Sequence, residues 1–248
     1  MLRLKELTIV PDLETLKTIP EGKVLINTIN AYSYTMTKTD RLFSEALQKG
    51  DYLIPDGASI VKACRWIGAK SQPRERIAGW DLFITEMNRK EEQAIQSGRQ
   101  KTVMFLGSSE QTLKKIREKA AHDFPHLSIK TFSPPYKPEF SDEDNAEMLA
   151  AINNACPDLL WIGMTAPKQE KWLYTHWQQL NIHCHAGTIG AVFDFYAGNV
   201  KRAPRWWQEH SLEWLYRLLS EPKRMWKRYL IGNIKFIWYM IQEKQTRQ

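Results

Sequence analysis

Short apolar runs alternate with amphipathic stretches along most of the chain. A run of consecutive apolar residues favours a buried strand, whereas apolar residues spaced three and four positions apart favour a helix with one buried face. Strands that alternate with helices are typical of an α/β fold, because each helix returns the chain across the sheet to the next parallel strand. The pattern therefore predicts an α/β protein with a largely parallel sheet.

The apolar runs predict strands near residues 4–10, 23–28, 51–54, 101–106, 127–132, 158–163 and 182–186. The amphipathic stretches predict helices at residues 37–48, 58–67, 80–97, 109–122, 142–155 and 167–179. After Gly198 the strands stop, and two more helices are predicted at residues 209–220 and 222–242. We therefore expect a core, residues 1–198, followed by a helical appendage, residues 199–248.

The charge of the chain is unevenly distributed between these two parts. The net charge is +7, and all of it arises after residue 200, where eleven Lys and Arg residues accompany four Glu residues. The first 200 residues carry 24 basic and 24 acidic side chains. Five of the ten Trp residues also follow residue 200. The basic, Trp-rich appendage is therefore expected to present a different surface from that of the core.

Composition and local sequence exclude several classes of protein. With 43% hydrophobic and 25% charged residues, the chain has the composition of a folded globular protein. Its three scattered cysteines are too few for a disulfide framework and favour a reducing cytosol. Charged residues interrupt the first 14 positions, so we expect no signal peptide. The apolar stretch at residues 229–241 is shorter than the roughly 20 residues of a membrane-spanning helix.

Candidate site residues follow the predicted strands, because ligands bind at the carboxyl ends of the strands in open parallel sheets. Asp56 follows one predicted strand and precedes Gly57, where a ligand can approach the backbone closely. The Asp56 carboxylate could act as a general base, or it could cap the helix that begins at Ala58. Thr28 and Asn30 follow another predicted strand, either as site residues or as turn residues.

The sequence contains no strong nucleotide-binding or metal-binding motif. It lacks a Walker loop and a G-x-G-x-x-G fingerprint, and the glycines of Gly187–Gly190 are only a weak phosphate-binding signal. Asp142–Asp144 resembles a metal-binding D-x-D pattern, but Ser141 before it predicts a capped helix whose first turn holds these acids. His183 and His185 have no third ligand at a fixed spacing. We therefore predict no metal and no cofactor.

The predicted C-terminal helix combines basic and aromatic side chains. Arg224, Lys227, Arg228 and Lys235 fall on one broad face of it. Such a helix could lie on an anionic membrane surface, bind nucleic acid through stacking aromatics, or pack against its neighbour with a solvated basic face. The neutral core and the lack of a nucleic-acid motif argue against nucleic acid. We predict an anionic membrane surface as the partner.

Three longer segments carry a family resemblance: APKQEKW at residues 166–172, VFDFYAGNVKRAPRWWQ at residues 192–208 and LEWLYRLLSEPKR at residues 212–224. Together they resemble the WecG/TagA/CpsF glycosyltransferase family. The resemblance implies a Rossmann-like core with a helical appendage. It also implies an inverting, metal-independent transfer of a sugar, typically an N-acetylmannosamine-type residue, from a UDP donor to a polyprenyl-diphosphate-linked sugar acceptor.

The resemblance also implies roles for individual residues. Asp56 matches the family's proposed general base, and Thr28 and Asn30 match its polar active-site residues. Arg76 and Gln169 match positions that line the same pocket. The positions proposed to bind the donor diphosphate are matched by Arg217, Arg224 and Lys227, with Arg228 beside the last of them. Basic groups of this kind offset the charge of a departing UDP in the absence of a metal.

Several residues near the predicted pocket depart from the family pattern: Ala58, Ser59, Ala78, Trp80 and Thr165. They leave open a different donor, such as another UDP-hexose or a uronic acid. A non-catalytic protein that binds a nucleotide sugar or lipid is the alternative from another functional class. We expect a peripheral protein at the cytoplasmic face of the plasma membrane, where the basic and Trp side chains of the appendage meet lipid. A homo-oligomer is also left open.

Overall fold

The computed structural model describes residues 2–204, 206–207, 210 and 212–246, except for the side chain of Arg224. In this part of the chain six parallel strands form one sheet: β1 (Val24–Ile29), β2 (Tyr52–Pro55), β3 (Lys101–Gly107), β4 (Leu127–Phe132), β5 (Leu159–Gly163) and β6 (His185–Thr188). The strand order is β2-β1-β6-β5-β3-β4. Within it, His185 of β6 pairs with Val24 on one side and with Leu159 on the other. The parallel sheet confirms the predicted α/β class.

The helices that connect the strands are α1 (Leu13–Lys17), α2 (Ala31–Met36), α3 (Arg41–Gln48), α4 (Ala58–Ile67), α5 (Gly79–Ser97), α6 (Glu110–Asp123), α7 (Asp142–Ala155), α8 (Lys168–His176) and α9 (Ala191–Tyr196). The C-terminal helices are α10 (Glu213–Ser220), α11 (Pro222–Trp226), a π-helical turn (Lys227–Ile231) and α12 (Gly232–Gln245). Short 3₁₀ turns occur at Leu4–Glu6 and Trp177–Gln179. Within the described ranges, none of these helices has the length and apolar character needed to cross a bilayer.

Backbone contacts divide the chain into two compact units. Unit 1 contains Met1–Thr15, Thr28–Ala78 and Lys201–Gln248, and unit 2 contains Leu16–Asn27 and Gly79–Val200. Unit 1 is therefore assembled from three segments that are far apart in the sequence. The division of the chain into a core and an appendage at residue 198 stays a prediction.

Several predicted helices differ from the observed ones at their ends. The predicted helix at residues 37–48 begins later, at Arg41, because the Asp40 side chain accepts a hydrogen bond from the Phe43 backbone N–H and caps α3 there. Residues 31–36 and 191–196 form α2 and α9, which the periodicity did not predict because each is under two turns long. Residue 209, the predicted start of the first C-terminal helix, lies outside the described residues.

The acidic run Asp142–Asp144 forms the first turn of α7, as predicted. The Ser141 side chain accepts a hydrogen bond from the Asp144 backbone N–H, and the Asp144 side chain accepts one from the Ser141 backbone N–H. This reciprocal capping box satisfies two N–H groups that have no partner within the helix. The hydrogen bond from the Lys137 side chain is the largest influence that lowers the pKa of Asp144, and the bonds with Ser141 lower it further. These carboxylates therefore stabilise a helix end.

Unit 2 contains a buried polar pair that involves one of the candidate metal ligands. His185 Nδ1 lies 2.9 Å from Glu86 Oε2, and His185 Nε2 lies 2.9 Å from the Pro20 carbonyl oxygen. Since a carbonyl oxygen can only accept, Nε2 donates to Pro20, and Nδ1 forms the contact with the Glu86 carboxylate. Both ring nitrogens of His185 are thus used in packing unit 2.

The predicted strand at residues 4–10 is wrong. Leu4–Glu6 form a 3₁₀ turn, and the segment that follows is irregular. Its apolar pattern arises because Leu2, Leu4, Leu7 and Ile9 are buried in the core of unit 1. Backbone groups of the segment are satisfied without a regular strand ladder; the Ile9 N–H, for example, donates to Ser71 Oγ.

A buried carboxylate in α12 anchors the C-terminal helix to the rest of unit 1. The Glu243 carboxylate accepts hydrogen bonds from the backbone N–H groups of Leu4 (3.1 Å) and Lys5 (2.9 Å), and from the Tyr34 hydroxyl. The Lys38 ammonium lies 3.6 Å away. Burial is the largest influence that raises the pKa of Tyr34, and the Glu243 carboxylate raises it further. The Tyr34 hydroxyl therefore keeps its proton and donates it in the hydrogen bond. Glu243 thus joins the N-terminal segment, α2 and α12.

Replacing Glu243 is therefore expected to destabilise unit 1. Glu243→Ala leaves two backbone N–H groups and the Tyr34 hydroxyl buried without their acceptor, which costs about 3 kcal/mol of unfolding free energy. The measurement is urea unfolding followed by Trp fluorescence. Glu6→Ala is the matched control, because Glu6 is exposed and pairs only at the surface with Arg3. Equal unfolding midpoints for the two variants would contradict the anchoring role.

Candidate active site

Asp56 follows the last residue of β2, at the carboxyl end of the sheet. Its backbone N–H donates to the Ile29 carbonyl at 2.8 Å, which fixes Asp56 beside the end of β1. Gly57, and not Asp56, occupies the N-cap position of α4. The interpretation of Asp56 as a helix cap is therefore wrong, and its carboxyl group is available for other chemistry.

The surroundings of Asp56 act on its carboxyl group in opposite directions. Burial is the largest influence and raises the pKa of Asp56, because a charged carboxylate loses solvation there. The Arg76 guanidinium lowers the pKa and Glu213 raises it, while Arg228 and Arg217 lower it. The net result is a pKa above the ordinary value for Asp. A carboxylate with a raised pKa accepts a proton more readily than an ordinary carboxylate.

Arg76 is held in place by an ion pair with α10. Its guanidinium donates to Glu213 Oε2 at 2.7 Å, and both side chains are largely buried. Arg202 Nε lies 3.9 Å from the other carboxylate oxygen of Glu213. Glu213 therefore orients Arg76, and α10 and the segment before α5 meet at this point in unit 1.

The structure brings two of the four candidate diphosphate-binding residues into electrostatic interaction with Asp56. These are Arg217 of α10 and Arg228 of the π-helical turn. The Arg228 guanidinium also lies 5.3 Å from the centre of the Tyr32 ring. Lys227 is exposed, and its ammonium lies 5.6 Å from the Trp226 ring centre. Arg224 belongs to α11, but its side chain lies outside the described part of the structure.

Thr28 and Asn30 lie at the end of β1, close to Asp56 in unit 1. Thr28 is the fifth residue of β1 and is half-buried. Asn30 is the N-cap of α2, and its Oδ1 accepts from the Ser33 backbone N–H at 3.0 Å. A Cβ on Gly57 would lie 3.6 Å from the Asn30 Cβ, so the two residues are neighbours. Asn30 therefore caps a helix at the same end of the sheet as Asp56.

Gln169, the remaining candidate, lies in unit 2 at the start of α8. Its side chain is buried, and its Oε1 accepts from the backbone N–H groups of Met164 and Gly190, each at 3.2 Å. Its Nε2 donates to Glu170 Oε1 at 2.8 Å. Its amide oxygen and nitrogen are therefore both engaged with the protein.

Sequence reasoning missed Glu213 and Tyr32. Glu213 is 137 residues from Arg76 in the sequence, and local sequence cannot show that these two side chains pair. Tyr32 packs against Gly232, where a Cβ would lie 3.1 Å from the Tyr32 ring. A glycine inside a C-terminal helix was the only signal in the sequence for this close approach. Among the described residues, no group of three or more His, Cys, Asp or Glu side chains could hold a metal ion.

The fold and the site define an α/β enzyme with a desolvated carboxyl group at the carboxyl end of a parallel sheet and guanidinium groups around it. Such groups favour an anionic ligand. The sequence matches the model of the Glycosyl transferase WecG/TagA/CpsF family over residues 2–248, and the chain belongs to this family. The protein is therefore a glycosyltransferase.

Several relatives carry the same descriptive name, N-acetylglucosaminyldiphosphoundecaprenol N-acetyl-beta-D-mannosaminyltransferase. The Bacillus spizizenii protein is 31% identical over 188 residues, which cover 76% of this chain and 67% of the relative. The Bacillus subtilis protein is 30% identical over 224 residues, 90% of this chain and 81% of the relative. The Staphylococcus aureus protein is 26% identical over 216 residues, 87% of this chain and 77% of the relative.

The electrostatics of the site predict opposite effects of two substitutions on Asp56. Glu213→Gln removes a carboxylate that raises the pKa of Asp56, so that pKa is expected to fall. Arg76→Gln removes a guanidinium that lowers it, so the pKa is expected to rise. The measurement is the pH titration of the Asp56 side-chain ¹³C resonance. Glu118→Gln, at an exposed position of α6, is the control. Shifts in the same direction for both site variants would contradict this description.

Proposed function

We propose that the protein transfers an N-acetylmannosamine residue from a UDP donor to an N-acetylglucosamine linked through diphosphate to a polyprenyl lipid. The names of the relatives support this donor sugar and this acceptor. The observation that carries the proposal is the Asp56 carboxyl group, which interacts electrostatically with Arg76, Arg217 and Arg228 in a chain of this family. The reaction is a single displacement that inverts the anomeric carbon and uses no metal.

In this proposal Asp56 is the general base. Its carboxylate removes the proton from the attacking hydroxyl of the acceptor sugar as the new glycosidic bond forms. The bond between the anomeric carbon and the UDP oxygen breaks, and its electrons leave with UDP. The raised pKa of Asp56 suits this role, because a carboxylate with a raised pKa is a stronger base than an ordinary Asp side chain. Direct displacement from the opposite side of the sugar inverts the anomeric centre.

The basic side chains of the C-terminal segment bind the departing diphosphate. Arg217 and Arg228 offset the charge that develops on UDP, a role that a divalent metal takes in many other transferases. Arg224 and Lys227 belong to the same proposed group. Glu213 holds Arg76 beside Asp56, and Thr28 and Asn30 supply further polar contacts to the substrate. In unit 2, Gln169 is proposed to act through the loops that its amide joins.

The C-terminal helices also support a peripheral membrane location. Exposed apolar side chains recur along α11, the π-helical turn and α12 at helical spacing: Trp226, Leu230, Ile234, Ile237, Trp238 and Ile241. We call these residues the apolar stripe. Lys227, Lys235 and Lys244 are exposed on the same helices. Apolar and interfacial aromatic side chains with basic neighbours suit the headgroup region of an anionic membrane. We therefore propose binding at the cytoplasmic face of the plasma membrane, where a lipid-linked acceptor is accessible.

The function is tested by UDP release from a panel of UDP-sugars with a short-chain polyprenyl-diphosphate N-acetylglucosamine, in the presence of EDTA. We expect acceptor-dependent release with UDP-N-acetylmannosamine and the opposite anomeric configuration in the product. Release with another UDP-hexose or with a UDP-uronic acid, in place of UDP-N-acetylmannosamine, would overturn the proposed donor sugar. Dependence on added metal would overturn metal independence. UDP binding without transfer from any donor would favour the non-catalytic alternative.

Asp56→Asn is expected to abolish turnover in this assay, because the amide cannot accept the proton of the attacking hydroxyl. UDP binding is expected to stay nearly unchanged. The variant should also be at least as stable as the wild type at neutral pH. Since the folded-state pKa of Asp56 is raised, its ionisation destabilises the fold as pH rises from the unfolded value through the folded one. Asn avoids this cost. Titration calorimetry measures UDP binding, and thermal unfolding measures stability. An active Asp56→Asn enzyme would refute the assignment of Asp56 as the base.

The apolar stripe is expected to contribute directly to membrane binding. Replacing both Ile234 and Ile237 with Ser removes exposed apolar area and should weaken binding to phosphatidylglycerol-containing vesicles by about tenfold or more. Vesicle flotation measures the change. Ile95→Ser is the matched control, because Ile95 and Ile237 are both 57% exposed and Ile95 belongs to α5. Equal flotation of both variants would contradict the proposed membrane surface.

A further inference from the structure

The Gln169 side chain joins two loops of unit 2. Met164 directly follows β5, and Gly190 directly precedes α9, in the loop that follows β6. Both backbone N–H groups donate to the single Gln169 oxygen. The loops therefore lie where two neighbouring parallel strands end, which is where α/β proteins bind their ligands. One amide oxygen holds the backbone of both loops.

Gly190 is required for this arrangement. Its φ of +20° is outside the range that residues with a side chain ordinarily adopt. A Cβ at this position would also lie 2.8 Å from the Met164 carbonyl oxygen and 3.1 Å from Gln169 Oε1. The close approach of the two loops and the Gln169 amide thus leaves no room for a side chain.

Glu170 fixes the orientation of the Gln169 amide. Its Oε1 accepts from Gln169 Nε2 at 2.8 Å, which directs the Gln169 oxygen toward the two loops. Among the described residues, Glu170 Oε2 is buried without a hydrogen-bond partner. Burial, opposed by the bond from Gln169, raises the pKa of Glu170 to about 7. A carboxyl group this buried is costly to ionise. Its hydrogen bond with the Gln169 amide gives it a part in orienting that neighbour.

We infer that Glu170 is a positioning residue, which acts through Gln169 to hold the loops after β5 and β6 in the geometry that binds the nucleotide-sugar donor. This inference rests on the proposed function for the identity of the ligand. It gives Gln169 a different part from a direct substrate contact, because both polar atoms of its amide already bind protein groups. The substrate meets the loop backbone that Gln169 positions.

Glu170→Leu tests this role, because Leu is of similar size and cannot accept the Gln169 hydrogen bond. We expect the KM for the UDP-sugar to rise about tenfold, since the loops lose their fixed geometry. KM does not depend on the concentration of folded enzyme, so simple loss of stability would leave it unchanged. Glu170→Gln retains an acceptor oxygen and should restore KM to within about threefold of the wild-type value. An unchanged KM in Glu170→Leu overturns the inference.

A double-mutant cycle tests whether Glu170 acts through Gln169. Gln169→Leu alone should raise KM at least as much as Glu170→Leu. In the Gln169→Leu background, Glu170→Leu should change KM by less than about twofold, because the side chain through which Glu170 acts is absent. Full additivity would show that Glu170 acts independently and would overturn the inference. Glu118→Leu is the matched control, since it makes the same replacement at an exposed helical position.

Hydrogen exchange tests, without reference to activity, whether Glu170 and Gln169 hold the two loops in place, an arrangement that we call the clamp. Peptides that contain the Met164 and Gly190 amides should exchange faster in Glu170→Leu and Gln169→Leu, and at the wild-type rate in Glu170→Gln and Glu118→Leu. Faster exchange without any transferase activity in the wild-type protein would refute the proposed function and retain the clamp. Unchanged exchange in both Leu variants would refute the clamp, whatever the enzyme transfers.

Discussion

The buried Glu243 carboxylate is the interaction on which the arrangement of unit 1 depends. It accepts hydrogen bonds from the N-terminal segment and from Tyr34 of α2, and it belongs to the last helix of the chain. A carboxylate with several buried donors is satisfied only when all of these segments are assembled. The π-helical turn with Arg228 directly precedes α12, and α10 with Arg217 lies a little earlier in the same segment. Anchoring α12 therefore helps to keep these guanidinium groups within electrostatic reach of Asp56.

The proposed mechanism places two opposing requirements on the site. A general base has to accept a proton, which burial favours by raising its pKa, whereas a diphosphate leaving group needs cationic side chains, which lower it. Glu213 reconciles them. It pairs with Arg76 at 2.7 Å, offsets part of the positive charge near Asp56 and raises the pKa of that carboxyl group. An acidic residue within a strongly basic segment thereby keeps the base effective beside the arginines.

Local signals predicted the fold well where secondary structure depends on local sequence. The parallel strands from β1 to β5 and the Ser141 cap of α7 follow from short apolar runs and capping chemistry. The N-terminal residues 4–10 were mispredicted, because alternating apolar residues bury equally well from an irregular segment whose N–H groups find distant acceptors. The motifs offered Asp56, the arginines and Gln169 as candidates, but not Glu213 or Glu170. The role of Glu213 depends on its contact with Arg76, which is remote in the sequence. The role of Glu170 depends on its hydrogen bond with the buried Gln169 amide, which the sequence does not show.

The C-terminal helix shows how the proposed membrane-binding element can be part of a folded unit. Phe236, Met240 and Glu243 are buried against unit 1, whereas Ile234, Ile237 and Ile241 are exposed on the same helix. A helix of this length has a separate face for each task, because residues three and four positions apart align while intervening ones point away. If the exposed face binds lipid, the packing of the buried face against unit 1 fixes the orientation of α2 and of the Asp56 site relative to the membrane. Membrane attachment would then orient the catalytic carboxyl group relative to the lipid-linked acceptor.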